Sequence, residues 1–105
     1  MNESALGRYF VKQVKAAGGM AEKFASPGRR GVPDYVVSWP NAEVDWVELK
    51  IKGGRRSVKQ KRDHIKRMLL GHVVYTLWDK AQINHYLKCP RVRFKGIRLV
   101  WDMPR

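Results

Sequence analysis

The sequence predicts an α/β domain in which a mixed sheet is flanked by helices, and three observations carry that prediction. Apolar residues recur at helical spacing in two segments, residues 3–17 and 57–70. Short β-branched or alternating runs lie at 32–38, 44–51 and 72–77, bounded by Gly and Pro. The resulting order is α-β-β-β-α-β followed by α-β, which implies a sheet with helices packed on it.

Each element has its own reason. In residues 3–17, Leu6, Phe10 and Val14 form one stripe that Val11 and Ala17 widen, and Gly18-Gly19 ends the helix. Residues 20–24 form a short strand candidate. The segment 26–31, Ser-Pro-Gly-Arg-Arg-Gly, is a basic loop because its Pro and Gly residues break both regular structures. Residues 39–42 make a turn between the second and third strands, which suggests a hairpin. In the third strand, Val44, Trp46, Glu48 and Lys50 share one face while Asp45, Val47, Leu49 and Ile51 share the other. After the Gly53-Gly54 turn, a second helix over 57–70 is expected to face Val58, Ile65, Met68 and Leu69 inward and to keep Lys59, Arg62, Lys66 and Arg67 largely solvated. A strand over 72–77, a short helix over 79–87 and one or two strands within 91–101 complete the chain.

With 105 residues and 44% hydrophobic content, the chain is read as one domain, residues 1–105, with a single modest core. Its 22 Lys and Arg against 9 Asp and Glu give a net charge of +13, which makes nucleic acid the first partner to consider. A membrane surface is disfavoured, because no basic amphipathic helix has a broad apolar face and no apolar run can span a bilayer. The single cysteine, Cys89, allows no internal disulfide and no zinc-site spacing. The N-terminus lacks the apolar stretch of a secretory signal, so a cytoplasmic location is expected, or a nucleoid-associated one in a bacterial host.

The chemistry-bearing residues are Pro33-Asp34, Glu48-Leu49-Lys50 and Gln60. Phosphodiester hydrolysis needs charge neutralised on the phosphate and a water made nucleophilic near neutral pH. Two carboxylates holding Mg²⁺ meet the first need, and a neighbouring lysine can orient the water or stabilise developing charge. Glu48 and Lys50 share a strand face, and hairpin pairing can bring Asp34 to them. The Leu49 carbonyl is a further candidate metal ligand. Gln60 has two open readings, a residue at the site edge or the second half of a Ser57-x-x-Gln60 capping box. Nine Lys or Arg lie between Lys50 and Arg67, against the single acid Asp63. Of these, Lys52, Arg55, Arg56 and Lys59, together with Arg29 and Arg30 before Asp34, are candidates for contacting a phosphate backbone. His64, His72 and His85 lack metal-ligand spacing and are read as surface or packing residues. The tryptophans are read as core, with Trp46 the exception because it shares a face with Glu48.

These residues resemble the PD-(D/E)XK nuclease superfamily and, more narrowly, its VRR-NUC domains. The resemblance rests on Gly31-Val32-Pro33-Asp34, on Glu48-Leu49-Lys50 and on Ser57-Val58-Lys59-Gln60 opening a helix, within an αβββαβ core covering nearly the whole chain. It implies Mg²⁺ or Mn²⁺ dependence, with Asp34, Glu48 and Lys50 at the centre and Gln60 at the edge. Many such nucleases carry a metal-binding acid on the first helix, where Glu3 is the one available. The resemblance further implies an endonuclease acting on DNA as a homodimer, selective for branched forms such as the four-way junction. The competing expectation is a non-catalytic basic DNA- or RNA-binding module, which explains the charge but assigns no task to Asp34 and Glu48.

Overall fold

The first helix, α1, Glu3–Ala16, starts where Asn2 accepts a hydrogen bond from the Ala5 amide at 2.8 Å, and it carries Glu3 and Lys15 at the ends its dipole favours. It buries Leu6, Phe10 and Val14. Val11 is exposed and Ala17 lies beyond the helix end, so the buried stripe is narrower than the expected one. A computed structural model describes residues 2–88. The expected strands within 91–101, and Cys89 and Trp101, lie outside the described residues.

Three strands follow α1 in sequence: β1, Met20–Lys23; β2, Tyr35–Trp39; and β3, Glu43–Leu49. The expected turn between β2 and β3 is a single 3-10 turn, Pro40–Ala42, with Pro at its start. Both β1–β2 and β2–β3 pair antiparallel, with Tyr35 opposite Val47. The second helix, α2, Val58–Leu69, is the crossover to β4, Val73–Leu77, which pairs parallel with β3 so that Leu49 lies opposite Leu77. A last helix, α3, Lys80–Lys88, follows. The four-stranded mixed sheet has the order β1-β2-β3-β4, as the α/β reading expects.

The two faces of the sheet differ. Tyr35, Val37, Val47, Leu49, Val73 and Tyr75 pack against Leu6, Phe10 and Val14 of α1 and Ile83 and Tyr86 of α3, forming the apolar core. The opposite face receives α2, and here the expected orientation is overturned. Val58, Ile65, Met68 and Leu69 are exposed, Leu69 at 82%, while the buried residues of the helix are Asp63 and His64. Polar anchoring sets this rotation. Gln60 bonds to Glu48 of β3, and Arg67, seven residues on, lies 4.2 Å over the ring of Trp46. Positions 60, 63, 64 and 67 share one helix face, so satisfying them turns the apolar positions outward.

Candidate active site

Asp34 is positioned from both sides of its loop. The Phe24 amide donates to the Asp34 carbonyl at 2.8 Å, closing the loop where it enters β2. Across the β2–β3 pair, the Leu49 amide donates to Asp34 Oδ2 at 2.9 Å. The far end of the loop rests on α2. Gly31 has φ of +85°, and a Cβ there would lie 2.6 Å from the Lys59 carbonyl oxygen, so glycine is required both by conformation and by space. Arg29 joins the same contact through an ion pair with Asp63 at 3.0 Å, and Asp63 also accepts from Arg67 at 2.7 Å.

Glu48 lies at the centre, 1% exposed near the C-terminal end of β3. Its Oε2 accepts from Gln60 Nε2 at 3.0 Å and lies 3.6 Å from Lys50 Nζ. Its Oε1 is buried and has no hydrogen-bond partner among the described residues. Burial pushes the Glu48 carboxyl up from 4.5 to about 8, and the negative charge of the neighbouring Asp34 side chain adds to the rise; Lys50 opposes it. Two carboxylates this close cannot both stay ionised cheaply in a dry site unless a cation lies between them.

Gln60 completes the capping box and also reaches Glu48. Its Oε1 accepts from the Ser57 amide at 2.8 Å and its amide donates to Ser57 Oγ at 3.1 Å, completing the capping box. The cap occupies the oxygen end of the side chain and leaves Nε2 to hold Glu48. One residue therefore ties the start of α2 to the acid on β3.

The remaining candidates divide into groups. Arg29, Arg30 and Lys59 line a shared groove of about 650 Å³ with Arg62 and Lys66. Lys52 and Arg55 are exposed on the turn before α2. The Nη1 of Arg56 lies 3.2 Å from Nδ1 of His64. Glu3 is exposed in the first turn of α1 and lines a different groove. No three His, Cys, Asp or Glu side chains gather into a metal-binding cluster among the described residues, so Glu3 stands apart from Asp34 and Glu48. Trp46 is committed to packing: its Nε1 donates to His72 Nδ1 at 2.8 Å, Phe24 meets it edge-on and Arg67 covers a face.

Two further residues, given no site role in the sequence, are buried beside Gln60 on α2. Asp63 is the buried counter-ion of Arg29 and Arg67. His64 is buried at 1% exposure, and an arginine can only donate, so its Nδ1 accepts from Arg56. Burial and the Arg56 charge hold the imidazole below its ordinary 6.5. Both follow Gln60 by three and four residues, a spacing that places them on its face of the helix.

No protein-family model matches the chain. It is 42% identical over 87 residues to "Putative nuclease p44" of Acyrthosiphon pisum secondary endosymbiont phage 1, an alignment covering 83% of this chain and 92% of that protein. A solved structure described as a VRR_NUC domain superposes with a TM-score of 0.77 at 25% identity, covering 82% of this chain and 94% of the other. Sequence relationship and fold agree, and the chain belongs to the VRR-NUC nuclease family.

Proposed function

We propose that this nuclease hydrolyses DNA phosphodiester bonds as a Mg²⁺- or Mn²⁺-dependent endonuclease, with Asp34, Glu48 and the Leu49 carbonyl holding the cation. The observation that carries the reading is the buried Glu48 Oε1, unpaired beside a second carboxylate. A buried carboxylate oxygen without a partner is costly, and a hard divalent cation with oxygen ligands relieves that cost and the mutual repulsion together. When bound, such a cation polarises the phosphate and lowers the pKa of a coordinated water.

The chain's own residues do the rest. Gln60 fixes the orientation of the Glu48 carboxylate through a cap that is itself rigid. Lys50 Nζ, next to Glu48, supplies positive charge where the attacking oxygen loses its proton and the phosphate gains charge. Arg30 and Lys59, with Lys52, Arg55 and Arg56, hold the phosphate backbone without reading bases, and Arg29 contributes from its pairing with Asp63. A non-catalytic basic module would gain nothing from a buried and a half-buried acid set side by side in a basic surface.

The finer reading is a homodimer that introduces paired nicks into branched DNA such as a four-way junction. One domain offers one centre, and symmetric cutting of two strands needs two copies. The protein would act in the cytoplasm, on the nucleoid in a bacterium; no described helix is long and apolar enough to cross a membrane. A panel of single strands, duplexes, flaps and four-way junctions with Mg²⁺, Mn²⁺ or EDTA tests the proposal. Cleavage with either metal and none with EDTA is expected; cleavage unaffected by EDTA, or none at all, overturns it. Light scattering should give twice the chain mass, and a monomer that cuts linear and branched DNA equally would remove the dimer alone.

A further inference from the structure

The groove along α1 has the composition of a nucleic-acid site and no role in the chemistry described above. Arg8, Lys12 and Lys15 follow one another at helical spacing on α1, and Lys23 of β1 faces them across a space of about 700 Å³. All four are exposed, and none forms an ion pair among the described residues. Glu3, at the start of the helix, is the one acid in the lining. Four unneutralised cations on so small a face repel one another, and a polyanion removes that repulsion by releasing its counter-ions. From Arg8 to Lys15 the helix rises about 10 Å, close to three nucleotide steps along one duplex strand. Val11 is the one exposed large apolar residue lining this groove, at 37% exposure, too little for insertion into a lipid surface.

Its place relative to the catalytic centre matters more than its charge. The floor of the groove includes Tyr35, whose hydroxyl would lie 2.6 Å from a Cβ at Gly7, and Lys23 lies 4.9 Å over its ring. Tyr35 is the neighbour of Asp34. On the other side of Asp34, Gly31 rests on the backbone of Lys59, which lines the groove of Arg30, Arg62 and Lys66. In that second groove, Asp63 is already neutralised by Arg29 and Arg67, so its remaining cations are equally available. The two grooves lie on opposite sides of the sheet, since α1 packs on the core face and α2 on the other. One straight stretch of backbone cannot fill both.

We propose that the α1 groove binds the phosphate backbone of a second arm of the substrate, so that a single copy of the chain holds DNA that turns through the catalytic centre. This rests on the nuclease reading and deepens it, giving a structural basis within one protomer for preferring branched or bent DNA.

The test compares Arg8→Gln/Lys12→Gln/Lys15→Gln with the wild type, measuring affinity against salt in EDTA for a four-way junction and for a linear duplex of equal arm length. Glutamine suits an exposed helix face, and a Lys12→Glu/Lys15→Glu variant supplies a second probe should the triple variant melt early. For the junction, the plot of log affinity against log salt should flatten by about two to three, with affinity falling at least about tenfold, while the linear slope changes by less than about one. An unchanged junction slope, or equal losses on both DNAs, overturns the proposal. So does loss of binding to anionic phospholipid vesicles with junction binding intact. Cleavage with Mg²⁺ is scored separately on the wild type: its absence counts against the nuclease reading, whereas an unchanged slope beside intact cleavage counts against the groove alone.

Discussion

Asp45 and Glu48 lie three residues apart on β3, both buried, on opposite faces of the same sheet. Asp45 accepts from Trp39 Nε1 at 3.1 Å and from the Tyr86 hydroxyl at 2.6 Å, inside the core shared with α1 and α3. Glu48 has one oxygen held by Gln60 and Lys50 and the other without a partner. A buried acid whose bonds are complete stabilises the fold, and one left incomplete beside another carboxylate is suited to bind something. Sequence does not separate the two, because both are acids within an apolar strand; their surroundings do.

The largest expected effect tests that contrast directly. Asp34→Ala and Glu48→Ala should each lower cleavage by about a thousandfold or more, because losing the cation forfeits several kcal/mol of transition-state stabilisation. DNA affinity at low salt should stay near wild type, since the basic surface supplies it. Asp45→Ala should do the reverse. It leaves the Trp39 and Tyr86 donors short of an acceptor, costs about 1–3 kcal/mol in a denaturant melt, and preserves turnover per folded molecule. Wild-type cleavage in the Glu48 variant, or an inactive but fully stable Asp45 variant, would break the distinction.

Lys50 and Gln60 come next, at about ten- to a hundredfold each. Lys50→Ala should lower the rate of the chemical step without weakening metal binding in a Mn²⁺ titration. Gln60→Glu keeps an oxygen for the Ser57 amide and so keeps the cap, but sets a carboxylate against Glu48 in place of the amide donor. A stable helix by circular dichroism with slowed cleavage is expected; full activity would reduce Gln60 to a cap.

The last effect is one of stability and bears on a single group. Between the ordinary 4.5 and the folded value of about 8, folded metal-free protein keeps a proton at Glu48 that the unfolded chain has released. Its stability therefore falls as pH rises through that window, by about 1.4 kcal/mol per pH unit at most from this group. Glu48→Gln removes the titration. Chemical denaturation in EDTA at pH 5, 6.5 and 8 should show the variant gaining on the wild type as pH rises, and parallel curves would contradict the assignment.

The alternation of β3 was legible because period two in a half-buried strand leaves little freedom: Val47 and Leu49 had to face the core, which puts Glu48 on the other side. The order of elements through α3 followed from the same patterning. The face of α2 was misread for a physical reason. Apolar periodicity predicts burial only when the partner surface is apolar, and the surface presented by β3 carries Trp46 and Glu48. The better signals were Asp63, a lone acid among nine cations, and its spacing from Gln60. The contact of Gly31 with Lys59 was illegible from sequence, because it joins backbone to backbone across 28 positions, and no side-chain pattern records it.

The proposed metal site requires Glu48 to give up its proton as it and Asp34 take up a divalent cation. Calorimetric titration of Mn²⁺ into the protein at pH 7, in two buffers of different ionisation enthalpy, counts the protons released. About one proton should leave per cation bound, falling toward none by about pH 9 and abolished in Glu48→Gln. Tight binding with no proton release at pH 7, or binding that survives unchanged in Glu48→Gln, would contradict it.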